Sequence, residues 1–241
     1  MVNKHVFLAV FLLATTFVFG QGNTKEFGFI SDNDLYTSSK NDMYYTNGLE
    51  LFFRYLSKNE NAKINKKITE FRLGQYIYNP RFINETATDI NDRPFTGYLF
   101  AEAGRSFFYQ SESVLKTDFQ LGYMGPNAFG RETQESFHHL IGYKKVFGWE
   151  NQLHNALAVQ AHVMYSKKLF SSKHNDFIDL HFQSEANLGT IFDGVSTGFL
   201  TRIGFKKLLP IYASNLHDAS VSSEPQFDIR EFYFYAMPSV N

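Results

Sequence analysis

The sequence predicts an all-β protein, an antiparallel outer-membrane β-barrel carrying one short helix in an extracellular loop. Three observations lead there. Apolar residues recur with period two in one stretch after another. The polar positions between them hold charges of both signs in mid-strand, and short turns alternate with long loops along the chain. Composition agrees: 44% of the 241 residues are hydrophobic and 27 Phe with 14 Tyr favour strands. Such a length suits one domain.

Taken in order, the chain opens with a segment unlike the rest. Lys4 precedes an apolar run from Val6 to Gly20, and Val18 and Gly20 are small enough for positions −3 and −1 of a cleavage site. Residues 1–20 therefore read as a secretory signal peptide, and 21–241 as the mature domain. The run is too short for a spanning helix. Nine strands are expected after it, near 25–32, 46–57, 66–78, 95–107, 114–124, 154–167, 176–187, 193–206 and 227–237. In the second, Leu49, Leu51, Phe53 and Tyr55 oppose Glu50 and Arg54. In the fifth, Leu115, Thr117, Phe119, Leu121 and Tyr123 oppose Lys116, Asp118 and Gln120. The sixth and seventh repeat the pattern, with His162 and with Asp179, His181 and Glu185 on their polar faces.

Turns at 57–61, 110–112 and 171–175 are short, whereas the segments 32–45, 79–94 and 125–152 are long. That is the plan of an outer-membrane barrel, with short turns on the periplasmic rim. An exported soluble barrel or sandwich would alternate too, with its apolar face inward. Glu50, Arg54, Glu70, Arg72, Lys116, Asp118, Glu185 and Arg202 in mid-strand favour a polar barrel interior instead. The stretch 206–225 is long for a turn on the short-turn rim, and the pattern offers no reason for it.

One interval breaks the period. Residues 125–142 read GPNAFGRETQESFHHLIG, a Gly-Pro turn followed by helix formers and a glycine stop. On a helix Gln134 and His138 are four apart and share a face. Phe137 and Ile141 share the neighbouring one, which is expected to pack the helix on the barrel rim.

Composition also excludes. The absence of Cys removes disulfide scaffolds, thiolate zinc sites and cysteine nucleophiles. With 23 Lys and Arg against 24 Asp and Glu there is no electrostatic footprint for nucleic acid. No G-x-S-x-G elbow marks a nucleophilic serine. Asp32, Asn33 and Asp34 superficially suggest a calcium loop, but the glycine and distal glutamate of an EF-hand are missing.

Four segments resemble the lipid A 3'-O-deacylases of Gram-negative outer membranes. They are Asn33-Asp34 after the first strand, Tyr45-Thr46-Asn47-Gly48 opening the second, Asp92-Arg93-Pro94-Phe95 with Gly97-Tyr98 opening the fourth, and GPNAFGRETQESFHHLIG with Gly148-Trp149-Glu150-Asn151-Gln152-Leu153. The resemblance runs from about residue 26 to 155 and continues more weakly beyond. It implies a calcium-dependent carboxylic ester hydrolase that removes the 3'-linked acyloxyacyl group of lipid A in the outer membrane, with lipopolysaccharide as partner and no obligate protein partner.

Carried over by position, His138 matches the histidine that activates water, and Asn33, Asp34 and Thr46 match catalytic polar positions. Asp34, Thr46 and Gln134 are the candidate ligands of Ca2+, and Arg93 with Lys40 the candidate contacts for lipid A phosphates. The chemistry is consistent: histidine titrates near working pH, and calcium takes oxygen donors of these kinds. Blander readings stand beside each. His138 next to His139 also fits a solvated pair, and Asn33 and Asp34 also fit a strand end. The family closes with about twelve strands, so nine predict a C-terminally shortened chain. Two other functions are carried forward, a non-catalytic outer-membrane barrel and an outer-membrane phospholipase.

Overall fold

A computed structural model describes residues 23–34, 44–82, 91–143, 145–170, 177–223 and 231–240. Residues 1–20, expected to be a leader, and Lys40 lie outside the described residues. The strands are β1 (Lys25–Asn33), β2 (Tyr44–Leu56), β3 (Ile64–Asn79), β4 (Thr96–Tyr109), β5 (Ser113–Met124), β6 (Ala156–Lys168), β7 (Ile178–Gly189), β8 (Gly194–Gly204), β9 (Tyr233–Ala236) and β10 (Ser239–Val240). One α-helix, α1 (Gly130–Ile141), stands between β5 and β6. No helix among the described residues is long and apolar enough to cross a membrane, which leaves open a crossing by strands.

All ten strands form one antiparallel sheet in sequence order from β1 to β8, where both β10 and β9 pair with β8. The sheet curls without closing. Eight of the nine expected strands are found to within a few residues. The ninth expectation, 227–237, overlaps undescribed residues and meets the structure in β9. Beyond it the short β10 adds a tenth strand, which a two-residue pairing gives no periodicity to reveal.

Alternation sorts the chemistry onto two faces. One is apolar and outward, with Phe27 at 70% exposure and Phe71, Leu73, Phe119, Leu157, Phe199 and Ile203 also open. So large an exposed apolar surface belongs against lipid. The other face is concave and carries a network of ion pairs. Arg54 lies 2.7 Å from Glu70, Arg72 lies 2.7 Å from Glu50, and Lys168 lies 2.8 Å from Glu112. Arg202, fully buried, pairs with Asp179 and with Glu231 at 3.3 Å. Charges in an apolar surround must be paired, and here they are.

The segment 206–225 finds its explanation inside this concavity. Lys66 Nζ donates to Ala219 O at 2.8 Å, Lys116 pairs with Asp218 at 2.7 Å, and Arg202 Nη2 donates to Leu209 O at 3.0 Å. Glu26 on β1 accepts from Ser220 Oγ. One stretch thus touches β1, β3, β5 and β8, so the sheet wraps around it. Ile211, Ala219 and Val221 complete a dry cluster with Ile68, Phe108, Val114 and Met164. The lumen near the short turns is filled by the chain itself.

Candidate active site

The site residues gather at the long-loop rim along one rung of the sheet. Asn33 pairs with Asn47, Asn47 with Ile77, and Ile77 with Gly97. All four have the outward parity, opposite to Glu50, Tyr76 and Tyr98. Beyond Gly97 the rung continues into α1. A side chain on Gly97 would lie 3.0 Å from Gly130 N, so only glycine lets the helix approach this closely. The helix therefore packs on the outer wall of the barrel.

The helix meets the wall through Gly130, Gln134 and His138, all buried. This replaces the expected packing through Phe137 and Ile141. The reason is the Gly97–Gly130 contact, which turns the small and polar stripe inward. Ile141 is 49% exposed, and Leu140 beside it is 81% exposed. Gly142, at φ 70°, ends the helix by donating to the carbonyls of His138 and His139. His138 is 5% exposed and meets the ring of Tyr143 edge-on at 4.9 Å. His139 faces solvent.

Gln134 is held from behind. The only tryptophan, Trp149, donates its Nε1–H to Gln134 Oε1 at 2.8 Å, and its ring packs on Phe95 at 4.9 Å. Ile77, Phe95, Val146 and Trp149 make a small buried cluster under the helix. Gln75 Nε2 donates to Ala128 O at 2.6 Å and ties the preceding turn to β3.

Thr46 occupies a β-bulge, the extra residue between the pairs Tyr45–Tyr78 and Asn47–Ile77. Bulges re-aim side chains and are frequent beside active sites. Thr46 is buried and donates Oγ1–H to Ile77 O at 3.3 Å. Asn47 Oδ1 is buried and accepts no hydrogen bond from the described residues. Asp34 follows Asn33 directly at the end of β1, and both its carboxylate oxygens are shielded from solvent.

This donor set fits a hard, oxygen-seeking cation. Thr46 spends its hydroxyl proton on Ile77, which keeps its lone pairs available. Gln134 Oε1 has a second lone pair besides the one that Trp149 uses. Asp34 supplies negative charge, and Asn47 an unspent amide oxygen.

Arg93 lies at the same rim. Its guanidinium sits 4.1 Å over the Tyr44 ring and 3.2 Å from Asp92. Asp92 accepts from Arg81 N at 3.0 Å, and that bond, with Arg93 as a smaller contributor, holds its carboxyl below the ordinary value. Asn33, Asp34, Thr46, Gln134 and His138 are thus brought to one rim, with Arg93 at its edge. Sequence reasoning passed over Asn47 and Trp149 as working residues, although both lie in the segments that carry the resemblance. The strand partner of Asn33 and the glycine contact of the helix need the pairing register to be seen.

Comparison with known proteins follows the same line. The model of a family described as outer membrane protein LpxR matches residues 6–241. The solved structure of LpxR from Salmonella typhimurium is similar, with a TM-score of 0.61 and 20% sequence identity. The alignment covers 79% of this chain and 67% of that one. At this identity the likeness speaks for the fold. No curated protein matches the sequence.

Proposed function

This chain belongs to the LpxR family of outer-membrane proteins, and on that premise we propose that it is a lipid A 3'-O-deacylase that uses His138 to activate water. The observation that carries the reading is where the site lies. His138, Gln134, Asn33 and Asn47 are on the outward wall, while the lumen is filled with ion pairs and the 209–221 segment. A lipid in the outer leaflet reaches such a wall by lateral diffusion, with its acyl chains against Phe27, Phe29 and Leu51.

In this mechanism His138 takes a proton from a water molecule as that water adds to the acyl carbonyl carbon. The tetrahedral intermediate then collapses, the C–O bond to the sugar breaks, and the imidazolium returns its proton to the departing 3' oxygen. Asn33 offers amide N–H donors to the developing oxyanion. Asp34, Thr46 and Gln134 would hold Ca2+, with Asn47 as a further oxygen donor. Bound there, calcium supplies positive charge to the polarised carbonyl. Tyr143 and the buried helix face keep bulk water from His138. Arg93, and Lys40 outside the described residues, would meet a lipid A phosphate. Export would use residues 1–20 as a cleaved leader.

The test is mass spectrometry of lipid A after incubation with the detergent-extracted protein and calcium, beside His138→Ala and EDTA controls. Loss of one 3'-acyloxyacyl mass, absent in both controls, is expected. Unchanged lipid A from folded protein would overturn the enzyme reading in favour of a non-catalytic barrel. Fatty acid released from glycerophospholipid alone would make it a phospholipase.

A further inference from the structure

The outward face of the sheet carries charge of one sign and at one end only. Across β1–β8 the charged residues of outward parity are Lys25, Lys67, Arg105 and Lys167, with no Asp or Glu among them. Lys25 opens β1 and Lys67 lies near the start of β3, whereas Arg105 and Lys167 lie toward the ends of β4 and β6. Because neighbouring strands run antiparallel, all four fall on the half nearest the short turns. None of them is paired with a carboxylate among the described residues, in contrast to the inward Arg54, Arg72, Lys116 and Arg202.

Two of the four share a rung. Lys25 pairs with Tyr55, Tyr55 with Thr69, Thr69 with Arg105, and Arg105 with Thr117. Lys67 is the diagonal neighbour of Arg105, since it pairs with Phe107 one outward position away. Thr69 and Thr117 flank Arg105 on the rung; Thr69 Oγ1 shares a hydrogen bond with Ser57 Oγ at 2.7 Å, and Thr117 Oγ1 donates to Arg105 O at 3.4 Å. Next to it an open recess of about 400 Å3 is lined by Arg105, Thr69, Thr117 and Ala103, with Phe71 and Phe119 as its apolar walls; Asp118 and His162, of inward parity and paired with each other at 3.0 Å, also border it. The recess exists because Ala103 and Ala161 stand where the surrounding outward positions are large.

An unpaired guanidinium beside hydroxyls, over an apolar trough, at the water–lipid boundary is a receptor for a phosphate that carries acyl chains. We propose that Arg105, Lys67 and Lys25 form a binding site for the headgroup of an anionic glycerophospholipid in the leaflet that faces the short turns, with one acyl chain lying in the recess between Phe71 and Phe119. The site is on the opposite rim from His138, so its occupant is distinct from the substrate of the long-loop rim. The absence of outward acids makes the preference one for net negative headgroups. The depth, one outward position inside Phe107, lets the Arg105 side chain reach up along the wall to the headgroup.

Native mass spectrometry of the full chain, titrated with phosphatidylglycerol or phosphatidylethanolamine of the same acyl length, tests this. Wild type is expected to retain phosphatidylglycerol in preference to phosphatidylethanolamine. Arg105→Gln should weaken that retention on the order of fivefold, and Lys67→Ala with Arg105→Gln by a further similar factor. Arg105→Lys keeps the charge and should hold most of the binding, so a loss in Arg105→Gln that Arg105→Lys restores is not a folding defect. Equal retention of the two lipids by wild type would overturn the proposal. So would undiminished phosphatidylglycerol in the double variant, or displacement of phosphatidylglycerol by lipid A that depends on Arg105.

Discussion

Replacing Trp149 by Phe removes the indole Nε1–H from the candidate site, together with part of a buried ring that packs near Gly130. A smaller ring remains to pack on Phe95, whose centroid is 4.9 Å from that of Trp149, but the Nε1–H that reaches Gln134 Oε1 at 2.8 Å is gone. Both side chains are buried, so Gln134 keeps an acceptor that no water readily serves. Leaving a buried acceptor unmet costs about 1–3 kcal/mol. If Gln134 helps to hold calcium, that cost falls on its aim, because the amide is free to rotate toward another donor. The calcium concentration for half-maximal release of the 3' acyl chain should then rise by between about fivefold and about a hundredfold. The assay is a calcium titration of deacylation by mass spectrometry, with heat-shifted gel mobility showing that the barrel is folded. Gln134→Ala should move the midpoint at least as far. An unchanged midpoint in both folded variants would refute the assignment of Gln134 to the cation.

Other substitutions probe the helix contact and the lumen. Gly97→Val places a branched side chain where a first carbon alone is 3.0 Å from Gly130 N; deacylation should fall at least tenfold by the arithmetic of about 1.4 kcal/mol per decade, while denaturant unfolding of the strands changes little. Equal loss of both would mean that the helix contact belongs to the fold as a whole. Arg202→Met strands Asp179 without its guanidinium partner, and should cost about 3–5 kcal/mol in unfolding experiments. Acid should loosen the lumen segment in two steps. Burial, with Lys116, His181 and Arg202 facing it, pushes His217 down to about 4, so its stabilising neutral form is opposed as pH falls from about 6.5 toward 4. Burial raises the Asp218 carboxyl, but Lys116 and Arg54 outweigh it and hold it at about 2, so its contribution stands above the ordinary carboxylate range and is lost as pH falls toward 2. Proteolysis or hydrogen exchange across residues 209–221 reads both, and protection that grows in acid would contradict them.

The strands were legible because alternation is a local property: Leu51 and Phe53 oppose Glu50 and Arg54 whatever the rest of the chain does. The helix was legible for the same reason, through its formers and the Gly142 stop. Its docking face was not. Hydrophobicity pointed to Phe137 and Ile141, but on a wall that itself faces lipid the apolar side has two places to go. A glycine on each partner decided for the polar stripe instead, and neither glycine is informative until β4 and α1 are brought together. The segment 206–225 was opaque for a related reason. Ile211, Ala219 and Val221 are too widely spaced to form a period, and the cations that hold Ala219, Asp218 and Leu209 sit on β3, β5 and β8, 153, 102 and 7 residues away.

That lumen segment bears on how the site works. In a barrel whose interior is open, a polar substrate has a route through the middle, and an active residue on the outer wall would be out of its path. Here Arg54, Lys66, Lys116 and Arg202 all spend charge or hydrogen bonds on residues 209–219, and Ile68, Phe108 and Val114 close the dry layer beneath. The interior is therefore scaffold, and the surfaces left for a lipid are the outward ones. They differ in kind: the long-loop rim presents a buried histidine with oxygen donors under a helix, and the short-turn rim presents unpaired cations over a recess. A substrate with an ester to break suits the first, whereas a phosphate to be held and not altered suits the second, where His162, the base that lines the recess, is of inward parity and is engaged by Asp118 at 3.0 Å.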